Sequence, residues 1–390
     1  MSRRRVSIFG ATGSIGLNTI DLIARAPDDY EVVALTGARN IAQLAKDARR
    51  LNAEIAVTAH EHLLPELRDA LAGSGVKAAA GQAALAEAAS MPTDWVMSAI
   101  VGAAGLAPGL EALKHGTTLA LANKESLVTA GPLLLNEAKR LGATVLPVDS
   151  EHSAVFQALI GEDITAVERI IITASGGPFR DHPLAALDSV TVAQASSHPN
   201  WDMGQRITID SASMFNKAME LIEAKEFFGV RPDQIETIIH PESLIHALVG
   251  FCDGALMAHV GPHDMRHAIG FALNWPHRKD LPVERLDLAK IGQLNFRAPE
   301  AARYPALAIA QKVMEQGGLT GAAFNAAKEA TLDGFLAGAC SFTDMARIAE
   351  IVVDAMLSRE GLQNATITLD SVQEADAIAR ALSAEEIAKT

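Results

Sequence analysis

The sequence predicts an α/β protein in three parts. These are an N-terminal domain with a parallel sheet over residues 1–147, a central α+β domain over 148–275, and a C-terminal α-helical domain over 304–390, with 276–303 as connector. Three observations carry this reading. Short β-rich runs alternate with helical patterns as far as Leu146, the texture then changes to apolar runs set among long polar loops, and from Tyr304 the pattern turns helical. At 390 residues the chain also exceeds what one hydrophobic core usually serves.

The candidate strands of the first part are Val6–Phe9, Tyr30–Leu35, Glu54–Val57, Trp95–Ser98, Thr118–Ala122 and Thr144–Leu146. The Ala-rich stretches between them, such as Ile41–Leu51 and Leu63–Leu71, read as covering helices, because Ala and Leu favour helix. In the second part Arg169–Ala174 and Ile235–Ile239 read as strands. Pro276, Pro282, Pro299 and Pro305 mark the connector, and Ala306–Glu315, Gly321–Ala337 and Thr343–Ser358 are candidate helices. No internal repeat or low-complexity tract interrupts this order.

Composition narrows the function. A formal charge of −14 argues against nucleic acid as the main partner, since backbone affinity needs surplus Lys and Arg. An anionic substrate would need a local cationic pocket. Cys252 and Cys340 are the only cysteines, so neither a disulfide framework nor a cysteine zinc site is expected. Gly10, Gly13 and Gly16 break up the apolar stretch that a secretory signal requires. The run from Met97 to Leu113 is interrupted by Gly102, Gly105, Pro108, Gly109 and Glu111, so no membrane span is expected and the reading is cytoplasmic.

Gly10-Ala11-Thr12-Gly13-Ser14-Ile15-Gly16 directly follows the first strand and opens a helix near Leu17. Glycines let the backbone turn tightly and approach a pyrophosphate, while the helix N-terminus offers unpaired N–H groups. This makes the first domain Rossmann-like. At the end of the second strand an NAD site expects an acidic residue for the ribose hydroxyl. Leu35-Thr36-Gly37-Ala38-Arg39-Asn40 instead supplies Arg39, which can pair with a 2′-phosphate, so NADPH is favoured.

Two polar clusters follow. Asp149-Ser150-Glu151 lies just past a strand, and if the extended conformation continues both carboxylates face one side. Asn216, Lys217 and Glu220 fall at i, i+1 and i+4 of a helical pattern and can share a face. Carboxylates without cysteine suit a hard cation such as Mg²⁺ or Mn²⁺. Taken alone, acidic pairs on loops are more often simply solvated. Ser175-Gly176-Gly177-Pro178 fits phosphate oxygens or any turn, and the 196–206 segment with His198-Pro199-Asn200-Trp201 fits a lid or a surface loop that packs its Trp. His240-Pro241-Glu242 is ambiguous by itself.

The strings at 10–16, Leu-Ala-Asn-Lys-Glu-Ser at 121–126, Pro-Val-Asp-Ser-Glu-His at 147–152 and Ser-Gly-Gly-Pro-Phe at 175–179 resemble, in order, the 1-deoxy-D-xylulose 5-phosphate reductoisomerase family. So do the His-Pro-Asn-Trp loop, Asn-Lys-Ala-Met-Glu at 216–220 and His-Pro-Glu-Ser at 240–243. The resemblance spans the chain. It implies conversion of 1-deoxy-D-xylulose 5-phosphate to 2-C-methyl-D-erythritol 4-phosphate in the non-mevalonate isoprenoid pathway, with NADPH and a divalent metal (Mg²⁺, Mn²⁺ or Co²⁺).

It also implies roles for residues. Asp149, Glu151 and Glu220 would hold the metal, and Lys124, Ser150 and Glu151 would contact substrate oxygens. Ser175, His198, Ser211, Asn216 and Lys217 would form the phosphate pocket beside Glu220, under a lid carrying Trp201. Thr12, Gly13, Ser14, Ile15, Ala38, Arg39, Asn40, Asn123, Glu125 and Gly204 would meet the cofactor, and Ala38 stands where relatives often have Gly. The catalytic set would be Lys124, Glu151, His198 and Trp201, and the family implies a homodimer.

Two other readings stay open at this level. A thiol-dependent NADP semialdehyde dehydrogenase shares the glycine loop but needs a catalytic cysteine. A non-enzymatic dinucleotide sensor would leave the lysine and the carboxylates without a role.

Overall fold

The computed structural model describes residues 3–197, 201, 204–359, 362–363 and 365–390. In chain order it opens with β1 (Arg4–Phe9), α1 (Ser14–Ala24), β2 (Tyr30–Gly37), α2 (Ile41–Arg50), β3 (Ile55–Thr58), α3 (Leu64–Leu71) and β4 (Lys77–Ala80). There follow α4 (Gly81–Ala89), β5 (Trp95–Ser98), α5 (Leu106–Ala112), β6 (Thr118–Leu121), α6 (Lys124–Leu141), β7 (Thr144–Pro147) and α7 (Ser150–Ala158). Next come β8 (Val167–Ala174), α8 (Val192–Ala195), α9 (Gln205–Ala212), α10 (Phe215–Phe228), β9 (Ile235–Ile239), β10 (Ile245–Phe251) and β11 (Leu256–Val260). The chain ends with α11 (Arg266–Asn274), α12 (Leu288–Ile291), α13 (Pro305–Gln316), α14 (Thr320–Leu336), α15 (Phe342–Leu357) and α16 (Leu369–Ile387).

The chain forms two compact units. The first comprises 1–126, 134–153 and 264–284, and the second comprises 127–133, 154–263 and 285–390. These divisions do not coincide with the expected boundaries at 147, 275 and 303. The 264–284 stretch belongs to the first unit because α11 buries Ala268 to Leu273 there. Its Ala272 carbonyl accepts the buried Trp95 indole at 3.1 Å, and Arg266 reaches Asp21 of α1 at 3.2 Å. Residues 285–390 are grouped with 154–263, so the C-terminal helices do not separate as a unit of their own.

The first unit carries a seven-stranded sheet in the order β4-β3-β2-β1-β5-β6-β7, every pair parallel. Its central strands are buried on both faces, so they read as continuous apolar runs such as Val6, Ile8 and Phe9 or Val32 to Leu35. Helix α2 shows why its residues form a helix. Ile41, Leu44, Ala45 and Ala48 bury one stripe, Asn40 caps the start through Gln43 N–H, and Arg49 and Arg50 sit at the negative end. The second unit has a four-stranded sheet in the order β11-β10-β8-β9, mixed in direction, with β10 buried throughout.

Candidate active site

In the first unit the glycine loop joins β1 to α1 at the sheet's C-terminal edge, where strand order reverses between β1 and β5. Gly10 has φ +87°, and a Cβ there would run into the Ala99 carbonyl. A Cβ at Gly16 would strike the Gly10 carbonyl and the Ala11 backbone. Only glycine fits at either position. Ala11 N–H donates to Thr36 O at 2.7 Å, tying the loop to the end of β2. No side chain caps α1 and its first turn has no acid, so the start of the helix presents backbone donors and a positive dipole end.

Just beyond β2, Ala38, Arg39 and Asn40 are exposed, with Ala38 O accepting from Thr58 Oγ1 at 2.6 Å. Arg39 thus stands at the start of α2, on the edge that carries the glycine loop. The strand-edge crevice, the uncapped helix and the cation fit a phosphorylated dinucleotide. Asn123 caps α6 through Ser126 N–H at 3.1 Å, and its amide donates to Ile100 O at 2.6 Å, Gly102 O at 2.9 Å and Glu125 Oε2 at 2.8 Å. Residues 99–102 therefore wall the loop beside Gly10, with Val101 81% exposed, a candidate contact that motif reading missed. An apolar residue left in solvent immediately after β5 is the signal that marks it.

The carboxylate cluster of the first unit departs from expectation. Asp149-Ser150-Glu151 is not extended, because α7 begins at Ser150. Asp149 precedes the helix, its Oδ1 accepting Glu151 N–H at 3.1 Å and its carbonyl accepting Ser153 N–H at 2.9 Å. Lys124, at the start of α6, reaches Asp149 Oδ2 at 2.9 Å, while the buried His152 Nδ1 lies 3.3 Å from Oδ1. Ser150 Oγ donates to Glu151.

In the second unit α10 carries the other cluster as the spacing predicts. Asn216 Nδ2 donates to Glu220 Oε1 at 2.5 Å and Lys217 Nζ to Glu220 Oε2. Glu220 is 1% exposed, and burying an unpaired carboxylate would be costly, so Lys217 and Asn216 supply the partners that burial demands. Met214 enters this helix at φ +62°, a conformation non-glycine residues rarely adopt. Ser211 closes α9, Ser175 follows β8, and Gly204 is the exposed N-cap of α9. Trp201 is half-buried with its ring 5.5 Å from that of His263 and 6.3 Å from that of His246. His198 lies outside the described residues. The ambiguous His240 is fully buried and accepts Leu244 N–H through Nε2 at 3.2 Å, with Nδ1 on Asn295 O at 2.9 Å, so its ring is spent on holding a turn.

Three family models match the chain. One for 1-deoxy-D-xylulose 5-phosphate reductoisomerase covers residues 6–131, one for its C-terminal domain covers 145–228, and one for the DXP reductoisomerase C-terminal domain covers 260–382. The reductoisomerase of Jannaschia sp. is 71% identical over 99% of this chain and 98% of its own length. The chain belongs to the 1-deoxy-D-xylulose 5-phosphate reductoisomerase family. The Ruegeria pomeroyi member is 70% identical over 97% of this chain and 95% of its own. The Zymomonas mobilis enzyme, solved in complex with NADPH, superposes with TM-score 0.93 and 45% identity over all of both chains. A DOX-P reductoisomerase solved with NADPH, fosmidomycin and magnesium gives 0.92 and 36% over 98% of each.

Membership in the reductoisomerase family displaces the two other readings, and the thiols agree. Cys252 is exposed, and burial pushes the Cys340 thiol up to about 11, the opposite of an activated thiolate. Asp149 and Glu151 in the first unit and Glu220 in the second each offer oxygen donors, the chemistry that a hard cation takes.

Proposed function

We infer that the chain is an NADPH- and divalent-metal-dependent reductoisomerase. It converts 1-deoxy-D-xylulose 5-phosphate to 2-C-methyl-D-erythritol 4-phosphate by skeletal rearrangement and reduction, in the non-mevalonate isoprenoid pathway. One observation carries the reading: the likeness to reductoisomerases runs the full chain, at 71% identity to one and with superposition on another bound to NADPH. When bound, NADPH supplies hydride and the cation supplies Lewis acidity toward adjacent substrate oxygens.

The chain's own residues do the rest. Thr12, Gly13, Ser14 and Ile15 offer donors to the pyrophosphate, and Arg39 with Ala38 and Asn40 receives the 2′-phosphate. Asn123, Glu125 and Gly204 complete the cofactor's surroundings. Asp149, Glu151 and Glu220 take the cation, Mg²⁺ in the first place and Mn²⁺ as a substitute. Lys124 and Ser150 donate hydrogen bonds to substrate oxygens, and Glu151 accepts or returns a proton there. Ser175, Ser211, Asn216 and Lys217 bind the phosphate with His198. Trp201, on the 196–206 segment, covers the substrate and excludes water.

The enzyme works in the cytoplasm as a homodimer. An exposed free thiol at Cys252 suits a reducing compartment, and among the described residues no helix is long and apolar enough to cross a membrane. The outer strand β11 exposes Leu256, Met257 and Val260 along an unpaired edge, which a second copy would cover. Light scattering should give the mass of two chains. The central test is NADPH oxidation with 1-deoxy-D-xylulose 5-phosphate, with and without Mg²⁺. Turnover that requires the metal supports the reading, and none with Mg²⁺, Mn²⁺ or Co²⁺ overturns it.

A further inference from the structure

The loop that carries Ser175 is secured by groups with no assigned part in the reaction. Gly176 and Gly177 both adopt positive φ, +84° and +65°. A Cβ on Gly176 would lie 2.8 Å from Arg180 Cδ, and one on Gly177 would lie 2.9 Å from Ala212 Cα and 3.1 Å from Ser211 O. The loop is thus pressed between the Arg180 side chain and the end of α9, which bears Ser211. The carbonyls of Ser175, Gly176 and Phe179 are each claimed by a side-chain donor. Arg180 Nη1 takes Ser175 O at 2.7 Å, the buried Tyr304 hydroxyl takes Gly176 O at 2.9 Å, and Arg303 Nη1 takes Phe179 O at 2.8 Å and His182 O at 2.6 Å. Tyr304 is 3% exposed, and burial holds its phenol above the usual value, so it remains a donor at neutral pH.

A peptide between two glycines rotates easily, because neither residue has a Cβ to resist it. The N–H of the Gly176–Gly177 peptide donates to Ser175 Oγ at 3.1 Å, so rotating that peptide would turn the N–H away and aim the carbonyl's negative end at whatever Ser175 binds. Backbone N–H groups attract an anion and carbonyls repel it. We propose that Tyr304 and Arg180 are positioning residues for the substrate's phosphate: by holding the Gly176 and Ser175 carbonyls on their own donors they keep the loop in its anion-accepting form. This rests on the assignment of Ser175 and Ser211 to the phosphate.

Tyr304→Phe removes one hydroxyl at constant shape, and Arg180→Met keeps a stem over Gly176 while removing the donor. In the full-length enzyme with Mg²⁺, each should raise KM for 1-deoxy-D-xylulose 5-phosphate about 5- to 10-fold. Inhibition by inorganic phosphate should weaken to a similar degree, while kcat and KM for NADPH change less than about 2-fold. Ser175→Ala and Ser211→Ala are measured alongside. If these raise the substrate KM but Tyr304→Phe and Arg180→Met alter only the melting temperature, the clamp is structural and the proposal is overturned. If the serine variants leave the substrate KM unchanged, the phosphate assignment itself fails.

Discussion

Glu220 is buried on α10 with one oxygen on Asn216 and the other on Lys217. Glu220→Gln keeps the shape and removes the charge a hard cation needs. NADPH affinity, measured by fluorescence, should stay within about 2-fold, because the change is local to α10. Turnover should drop by orders of magnitude and recover only in part at high Mn²⁺; an unaltered metal titration would remove Glu220 from the ligand set. Glu242 makes the contrast, since its carboxylate is occupied by Asn295 N–H at 3.1 Å and by the Asn295 amide. Glu242→Gln should leave metal dependence as it is. Arg39→Asp turns an attraction into a repulsion, so NADPH binding should weaken by on the order of 2 kcal/mol more than NADH binding; equal losses would reduce Arg39 to a folding role. The i, i+4 spacing made the α10 cluster legible in advance. The sequence places the Asp149 carboxylates on one side only if the strand continues, and Asp followed by Ser and Glu is itself a helix-start pattern. The strand does not continue: it ends at Pro147, and Asp149 caps α7.

Among elements, β4 and β11 escape pattern reading, each for its own physical reason. Strand β4 is Lys-Ala-Ala-Ala at the sheet's edge, where composition gives no β signal and neighbours supply the pairing. Strand β11 exposes most of its residues and shows no apolar alternation. The long strands at the centre of the first sheet and the amphipathic helices α2, α13 and α15 are readable because burial imposes their pattern. Helix α15 shows what local chemistry adds. Ser341 Oγ accepts Asp344 N–H at 3.2 Å, and Asp344 Oδ2 accepts Ser341 N–H at 3.0 Å. Burial pushes the Asp344 carboxyl up, but hydrogen bonds from Arg347 and Ser341 outweigh it and hold the group below its usual value. A lowered carboxylate stabilises the fold fully above the unfolded value near pH 4 and loses that contribution as pH falls through the folded value. Ser341→Ala should cost about 1 kcal/mol in urea denaturation at pH 7. Helix α6 is a different case. Pro132 cannot donate to Val128 O, the helix kinks at Ala130, and the Val128 carbonyl settles against Gly321 so closely that a Cβ there would collide with it. Gly321→Ala should therefore lose about 1–3 kcal/mol, despite alanine's better helix propensity; a gain in stability would refute that packing account.

At the scale of the molecule, the sequence showed alternating elements but not where the chain comes back. The return of 264–284 to the first unit depends on tertiary contacts such as Trp95 to Ala272, which no local periodicity encodes. A fragment ending at residue 153 should therefore expose Trp95, shift its emission to the red and aggregate. Joining 264–284 through a flexible linker should move the emission back to the blue, and a fragment that folds without it would contradict this. That discontinuity also sets a timetable during synthesis. The ribosome delivers all seven strands of the first sheet early, yet α11, which seals it, is made only after β8 to β11. At about 5–20 residues per second, the sheet's apolar flank waits on the order of ten seconds for its cover. In a growing cell that interval is when a chaperone holding the nascent chain would matter most.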